Sequence, residues 1–436
     1  MSAMTRRGFL KTAAALGAAG AAVAAAPRIL RAQGPATAPA TAPAGQPLHV
    51  AIIGTGEHGR DLVMHCMKLP GVRFQAVCDI WDFARDYSAK LLRKYKHEAR
   101  DYVDYRDMLT KEKGLDAVIV ASPDGFHAEQ TLACLDAGLH VYCEKEMALT
   151  VEDCRKMVLA ARKAGKLLQV GRQHRSNGRY AVALDYIDAK KALGRVTHVF
   201  GQWRGHKRDK LPWPEKYTID PARLAKYGYE SMEQFRNWRW FEKFAPGSIG
   251  SLGSHQVDVF NWFLHAAPKA VYASGGLDFY DYFQSYDNVS CIFEWDYDRD
   301  GRKTTVRGNY EILNTTELGG FYEKFTGTEG ELAISEIASR GGIWREVNAP
   351  EAEWEKDLVK VPVVEYGCRA YGPIPAEDDK HVYWHHLRNF FDSIRGSAKL
   401  TCPGEVGFQA AVACLKVNES MKLGKRLELK PEDFVV

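Results

Sequence analysis

Three glycines, Gly54, Gly56 and Gly59, stand at the G-x-G-x-x-G spacing in the stretch GTGEHG. The apolar run LHVAII precedes them and a helical stretch follows. In that context the first glycine permits a tight turn and the second lets a pyrophosphate approach the backbone. The third lets helix pack on strand, with the phosphate at the helix N-terminus. A second strand-like run, VRFQAVCD, ends in Asp79. A carboxylate there accepts hydrogen bonds from both ribose hydroxyls of NAD and repels the 2′-phosphate of NADP. No arginine is adjacent to Asp79 in sequence, so the expected cofactor is NAD, with NADP disfavoured.

Two further residues suit charge and proton chemistry. Lys145, in CEKE, directly follows a buried-looking strand, and ligands gather at the carboxyl ends of strands in open parallel sheets. His255, in SLGSHQVD, has a side chain that titrates near neutrality, although a lone helical histidine more often packs or caps. His381 and His385 are spaced for one helix face with His386 adjacent, but further ligands are not evident and no metal is expected. The stretch DYDRDGRK lacks the rest of a calcium loop and reads as a hairpin turn. The aromatics of FRNWRWF, residues 235–241, fit sugar stacking and plain packing equally well, Trp240 among them.

These residues need elements to position them. From residue 48 onward, strand-like and helix-like runs alternate: LDAVIVAS, then a helix ended by Gly138, the strand HVYCEK, a helix from Val151 to about Gly165, and KLLQVG. Such alternation predicts a parallel, doubly wound sheet. After Gly171 the runs become rich in Val, Trp, Tyr and Thr with Gly and Asn turns, which predicts a large, mostly antiparallel sheet. The stretches 381–396 and 404–424 are helical by periodicity. The expected organisation is a leader (1–32), a Pro/Ala-rich linker (33–47), a nucleotide-binding domain (48–171) and a substrate and oligomerisation domain (172–436).

The formal net charge of +4 is small, and no basic cluster with interleaved aromatics marks a nucleic-acid protein. Nine cysteines lack CxxC pairs and read as buried thiols. The N-terminal stretch TRRGFLK, followed by an Ala/Gly-rich run, resembles a twin-arginine export signal. Its apolar part is shorter than the ~20 residues a membrane span requires, so no stable anchor is expected.

In its ordered segments GTGEHG, ASPDGFHAEQTLACLDAGLHVYCEK, VGRQHR, GSHQVDVFNWF, GTEGELAIS and HLRNFFDSIRG, the chain resembles the Gfo/Idh/MocA family. The resemblance covers nearly everything from Leu48 onward. It implies a Rossmann domain followed by an α+β domain with an open sheet, and oxidation or reduction of a secondary alcohol on a sugar or polyol. It assigns Lys145 and His255 to catalysis. Glu144 falls to the nicotinamide-side ribose, and His58, Ser122, Pro123, His127 and Gln173 to the cofactor's surroundings. Arg172, Arg175 and Asp258 are assigned to substrate oxygens. Two positions depart from the family pattern: Glu146 stands where proline is usual, and Ser251 where an Asp commonly precedes the histidine by four.

A folded-protein export route gives these features a common logic. The periplasm, the expected destination, holds no nicotinamide pool, so the cofactor must travel inside the protein and be restored in each cycle. The partners implied are a sugar or glycoside, the twin-arginine translocase and, through the open sheet, a homodimer or homotetramer. Alternatives are an NAD-dependent glycosidase or lyase acting through a transient 3-keto sugar, and an inactive sugar-binding homologue.

Overall fold

The computed structural model describes residues 46–205, 210–363, 367–375 and 380–436. The leader and nearly all of the linker therefore lie outside the described residues. The first sheet is parallel and has the order β3-β2-β1-β4-β5-β6. Its strands are β1 (Leu48–Ile53), β2 (Val72–Cys78), β3 (Arg100–Tyr102), β4 (Ala117–Val120), β5 (His140–Cys143) and β6 (Leu168–Val170). The order reverses between β1 and β4, which opens a ligand crevice at the strands' carboxyl ends.

Strand periodicity explains why these runs are apolar throughout. In β1, Leu48, Val50 and Ile52 join one core cluster, whereas Ala51 and Ile53 join another on the opposite face. The first cluster is completed from far away in sequence. Leu387, Phe390, Phe391 and Ile394 of the helix Val382–Ile394 pack into it beside Leu62 and Val63. The helix Gly404–Leu423 approaches β6 so closely that a Cβ on Gly407 would fall 2.4 Å from Val170 Cγ2.

The second sheet has ten strands in the order β14-β15-β13-β12-β11-β7-β10-β9-β8-β16. These are β7 (Val196–Arg204), β8 (Ala270–Gly276), β9 (Asn288–Arg299), β10 (Arg302–Leu313), β11 (Phe321–Gly327), β12 (Gly330–Ile334), β13 (Gly342–Arg345), β14 (Lys360–Val361), β15 (Arg369–Tyr371) and β16 (Leu427–Glu428). All of its pairings are antiparallel except β7 with β10. Val289, Cys291, Phe293, Trp295 and Tyr297 of β9 are buried, while Ser290, Ile292, Asp296 and Asp298 are exposed. One face thus packs on helices and the other meets solvent. The expected turn in DYDRDGRK is the β9–β10 hairpin, with Asp300 and Gly301 at φ 55° and 77°.

Eight of the nine cysteines are buried and Cys368 is partly exposed. No helix among the described residues is long and apolar enough to cross a membrane.

Candidate active site

The glycine loop connects β1 to the helix Glu57–Cys66. Gly54 has φ +88°, and a Cβ there would lie 2.5 Å from the Ser122 nitrogen. A Cβ on Gly59 would lie 2.1 Å from the Gly54 carbonyl oxygen. Around Gly56 the opposite holds, because a Cβ would meet no atom within 4 Å. The helix begins at Gly56 without a side-chain cap, and its first turn, Glu57 to Gly59, lines the cleft. A tight loop with room above its central glycine fits a dinucleotide pyrophosphate. Asp79 sits at the end of β2 as expected, and it also ties the loop together. Its Oδ2 accepts from the Thr55 N–H at 2.7 Å, and its Oδ1 from the Trp81 N–H at 2.8 Å. Burial raises the Asp79 pKa despite these bonds.

The cleft above this loop measures about 1190 Å³, larger than the ~300–1,000 Å³ of ordinary small-ligand pockets and suited to a dinucleotide with a second small molecule. Gly54, Gly56, His58, Gly59, Asp79, Ser122, Pro123 and Trp240 all line it. Glu144 and Lys145, which follow β5, do not themselves line the cleft; they sit behind it, in contact with His58 and Ser251, which do. Glu144 is buried against His58 Nε2 at 3.0 Å and the Tyr142 hydroxyl at 3.1 Å. Burial alone would raise its pKa, but His58 and Lys145, with the Tyr142 bond, outweigh it and hold the carboxyl at about 2.

Lys145 donates from Nζ to the carbonyl oxygen of Ser251. Burial lowers its pKa against the opposing pull of Asp124 and Glu144. Ser251 lies in a π-helical turn, Ile249–Gly253, that leads into the helix Ser254–Leu264 carrying His255. Lys145 and His255 therefore converge on this one turn, just behind the cleft wall formed by Ser251 and Leu252. His255 is 5% exposed and its Nδ1 is buried without a hydrogen-bond partner, as is Ser251 Oγ. Burial, Lys145 and His174 push the His255 pKa well below its ordinary value, so the ring is a neutral base.

His127 is fully buried, with its two ring nitrogens each 2.7 Å from a carbonyl oxygen, those of Glu146 and Ser122. Only an imidazolium donates from both nitrogens, so His127 is a structural cation linking the loops after β4 and β5. Arg172 is also fully buried and pairs with Glu146 at 2.7 Å. Arg175 and Asp258 bind each other through two bonds of 2.7 and 2.9 Å. Gln173 is buried beside them in sequence, and its Oε1 lacks a partner. Trp240 stacks on Phe283 at 4.4 Å while lining the cleft.

Several site residues were not singled out from sequence. Trp203 of β7 lines the cleft, stacked on Phe321 at 4.4 Å, with its ring 6.4 Å from that of His255. His174 packs 5.1 Å from His255 and pairs with Glu336 at 3.0 Å. Its place inside VGRQHR was the available signal. Asp124, buried in the loop after β4, has its pKa raised to about 6 by burial, against His127 and Lys145. His381 caps its helix and stacks on His65.

Residues 48–172 match the family model described as "Oxidoreductase family, NAD-binding Rossmann fold". Residues 183–311 match the GFO/IDH/MocA C-terminal domain. Together these cover more than half of the sequence, and the chain belongs to the GFO/IDH/MocA family. It is similar to inositol 2-dehydrogenase of Salmonella typhimurium, with 27% identity over 226 residues, 51% of this chain and 56% of that protein. It is also similar to D-glucoside 3-dehydrogenase of Escherichia coli, with 40% identity over 131 residues, 30% of this chain and 36% of that one. The chain thus spans about half the length, or less, of these curated relatives. Among solved structures, a WlbA dehydrogenase from Chromobacterium violaceum in complex with NADH and UDP-GlcNAcA shares the fold. Its TM-score is 0.67 at 22% identity, covering 89% of this chain and 97% of that one.

Proposed function

We propose that this protein is an NAD-dependent oxidoreductase acting on a secondary alcohol of a sugar or sugar derivative. The convergence of Lys145 and His255 on the turn at Ser251, a residue of the wall of a dinucleotide-sized cleft, carries this reading. A nicotinamide ring bound there supplies hydride acceptance. The protein supplies the remaining chemistry. The Lys145 ammonium stabilises negative charge as it develops on the alcohol oxygen, and neutral His255 takes the hydroxyl proton. Gly54, Gly56, Gly59, Asp79 and Glu144 are the residues that hold the coenzyme, and Asp79 favours NAD over NADP.

The leader-like N-terminus supports export to the periplasm by the twin-arginine route with the coenzyme already loaded, and the net reaction then returns the coenzyme to its starting state. Coupled reduction of a second carbonyl compound meets that condition. The similarity to a D-glucoside 3-dehydrogenase favours a second reading with the same first step, in which a glycoside is oxidised at carbon three, eliminated, hydrated and reduced back. The open face of the second sheet suits a homodimer or homotetramer. Mass spectrometry of nucleotide released from purified protein, followed by a screen of sugars and glycosides for the absorbance of reduced nicotinamide, tests the reading. Co-purifying NAD reduced by a sugar supports it. A protein that carries no nucleotide, and acts only with free NAD, removes the retained-coenzyme part. No reduction by any sugar or polyol removes the oxidoreductase assignment.

A further inference from the structure

The second half of the chain sends residues 211–244 back across the first sheet. This segment touches the loops after three of its strands, at the edge where the crevice opens. After β2, the Trp81 indole N–H donates to the Tyr217 carbonyl at 2.7 Å, and Arg223 binds Asp82 at 2.9 Å. After β3, the Tyr227 hydroxyl donates to Asp104 at 3.1 Å. After β4, the Gly125 N–H donates to the Phe244 carbonyl at 2.9 Å, and a Cβ on Gly125 would fall 2.7 Å from the Lys243 carbonyl. An aromatic cluster fills the seam, with Trp81 and Phe244 buried and Phe83, Phe126 and Phe235 packed on it.

The inner side of the same segment is cleft wall. Tyr229, Phe235, Arg236 and Asn237 line the cavity that Gly56 and Asp79 line from below. The Arg236 guanidinium lies 4.6 Å over the Trp81 ring, two residues beyond Asp79. The adenosine end of the crevice is therefore roofed by a polypeptide strap tethered to all three lips.

We infer that residues 211–244 form part of the dinucleotide site and hold it shut, so that the coenzyme leaves only when the strap detaches from the loops after β2, β3 and β4. This rests on the dinucleotide reading above and extends it to retention. Its chemistry is non-covalent. Burial of the adenosine half between two parts of the chain slows release, and most tuning of related complexes resides in the off-rate.

The test uses the full chain. Arg223→Ala combined with Tyr227→Phe removes one charged and one phenolic tether outside the reacting centre. Release of bound NADH into excess NAD is followed by nucleotide fluorescence. The double variant is expected to release about tenfold faster or more than wild type. In parallel, hydrogen–deuterium exchange on wild-type protein stripped of its nucleotide is expected to slow over residues 221–236 when NAD is added back. The exchange measurement stands alone should the variant fold poorly. Wild type that binds NADH, with unchanged release in the variant and exchange indifferent to NAD, overturns the strap. Wild type that binds no dinucleotide at all overturns the underlying reading instead.

Discussion

Glu146 and Arg172 meet at 2.7 Å with both side chains fully withdrawn from water. Arg172 also donates to the Ser254 carbonyl at 2.8 Å, one residue before His255. The pair therefore links the loop that carries Lys145 to the helix that carries His255. Glu146 stands where the family resemblance leads one to expect proline, and the structure gives the residue a role. Burial opposes charge on Arg172, but Glu146 and Asp258 more than compensate, so the guanidinium stays protonated.

Breaking one side of such a pair leaves an uncompensated buried charge. Glu146→Gln is expected to destabilise folding by about 3–5 kcal/mol. Adding Arg172→Met to it is expected to recover much of that loss, giving strong non-additivity in urea unfolding. Additive losses would show that the two residues do not act as a unit.

Lys145→Ala and His255→Ala are each expected to lower the rate of coenzyme reduction by about 10²- to 10⁴-fold, the usual range for a positioned acid or base. Nucleotide content after purification should remain near wild type, since neither residue belongs to the glycine loop. Turnover unaffected by both changes would return the protein to a binding role.

His255 acts as a base only when neutral. Burial, Lys145 and His174 keep its pKa far below the ordinary value, so wild-type kcat/KM should stay flat as pH falls through 6.5. Ser251→Asp places a carboxylate one helical turn before the ring, where Ser251 Oγ is now unpartnered. An opposite charge favours the imidazolium and raises the histidine pKa. The variant's acid limb should move to higher pH by about one unit or more. Identical profiles would mean that residue 251 does not reach the proton-transfer step.

Glu144 makes a stability prediction in the acid range. Its pKa falls from 4.5 to about 2 on folding. A depressed carboxylate contributes stability that is present above pH 4.5 and is lost as pH falls from there through 2. Comparing wild type with Glu144→Gln isolates this group from the others that titrate nearby. Wild type should lose roughly 3 kcal/mol more than the variant between pH 5 and pH 2, by chemical denaturation. Parallel pH profiles would place the shift elsewhere.

Local pattern carried much of this molecule. The glycine spacing, the apolar runs of β1 and β4, Gly138 and Gly165 after their helices, and Asp300-Gly301 in its hairpin all follow from period and backbone chemistry. Long-range pairing did not. Nothing local says that Arg175 spends its guanidinium on Asp258, or that Phe390 and Phe391 of the C-terminal helix complete a core begun by Leu48. Residues 211–244 consist of short helical turns with no sustained period, so their aromatics were legible as a type but not as a roof over the cleft. For Trp240 both readings survive, because it stacks on Phe283 and still faces the cavity.

Gly56 and Gly59 separate folding from binding within one motif. A methyl at Gly59 would sit 2.1 Å from a backbone oxygen that cannot yield without moving the loop, so Gly59→Ala should destabilise the fold by several kcal/mol or prevent it. A methyl at Gly56 would meet no protein atom within 4 Å, and Gly56→Ala should unfold within about 0.5 kcal/mol of wild type. Its methyl occupies the space through which a pyrophosphate reaches the backbone, so dinucleotide affinity, measured by titration calorimetry on stripped protein, should fall by about tenfold or more. A Gly56→Ala protein that is stable and binds NAD as tightly as wild type would mean that the phosphates do not lie over this loop, and that the open space above Gly56 serves some other ligand.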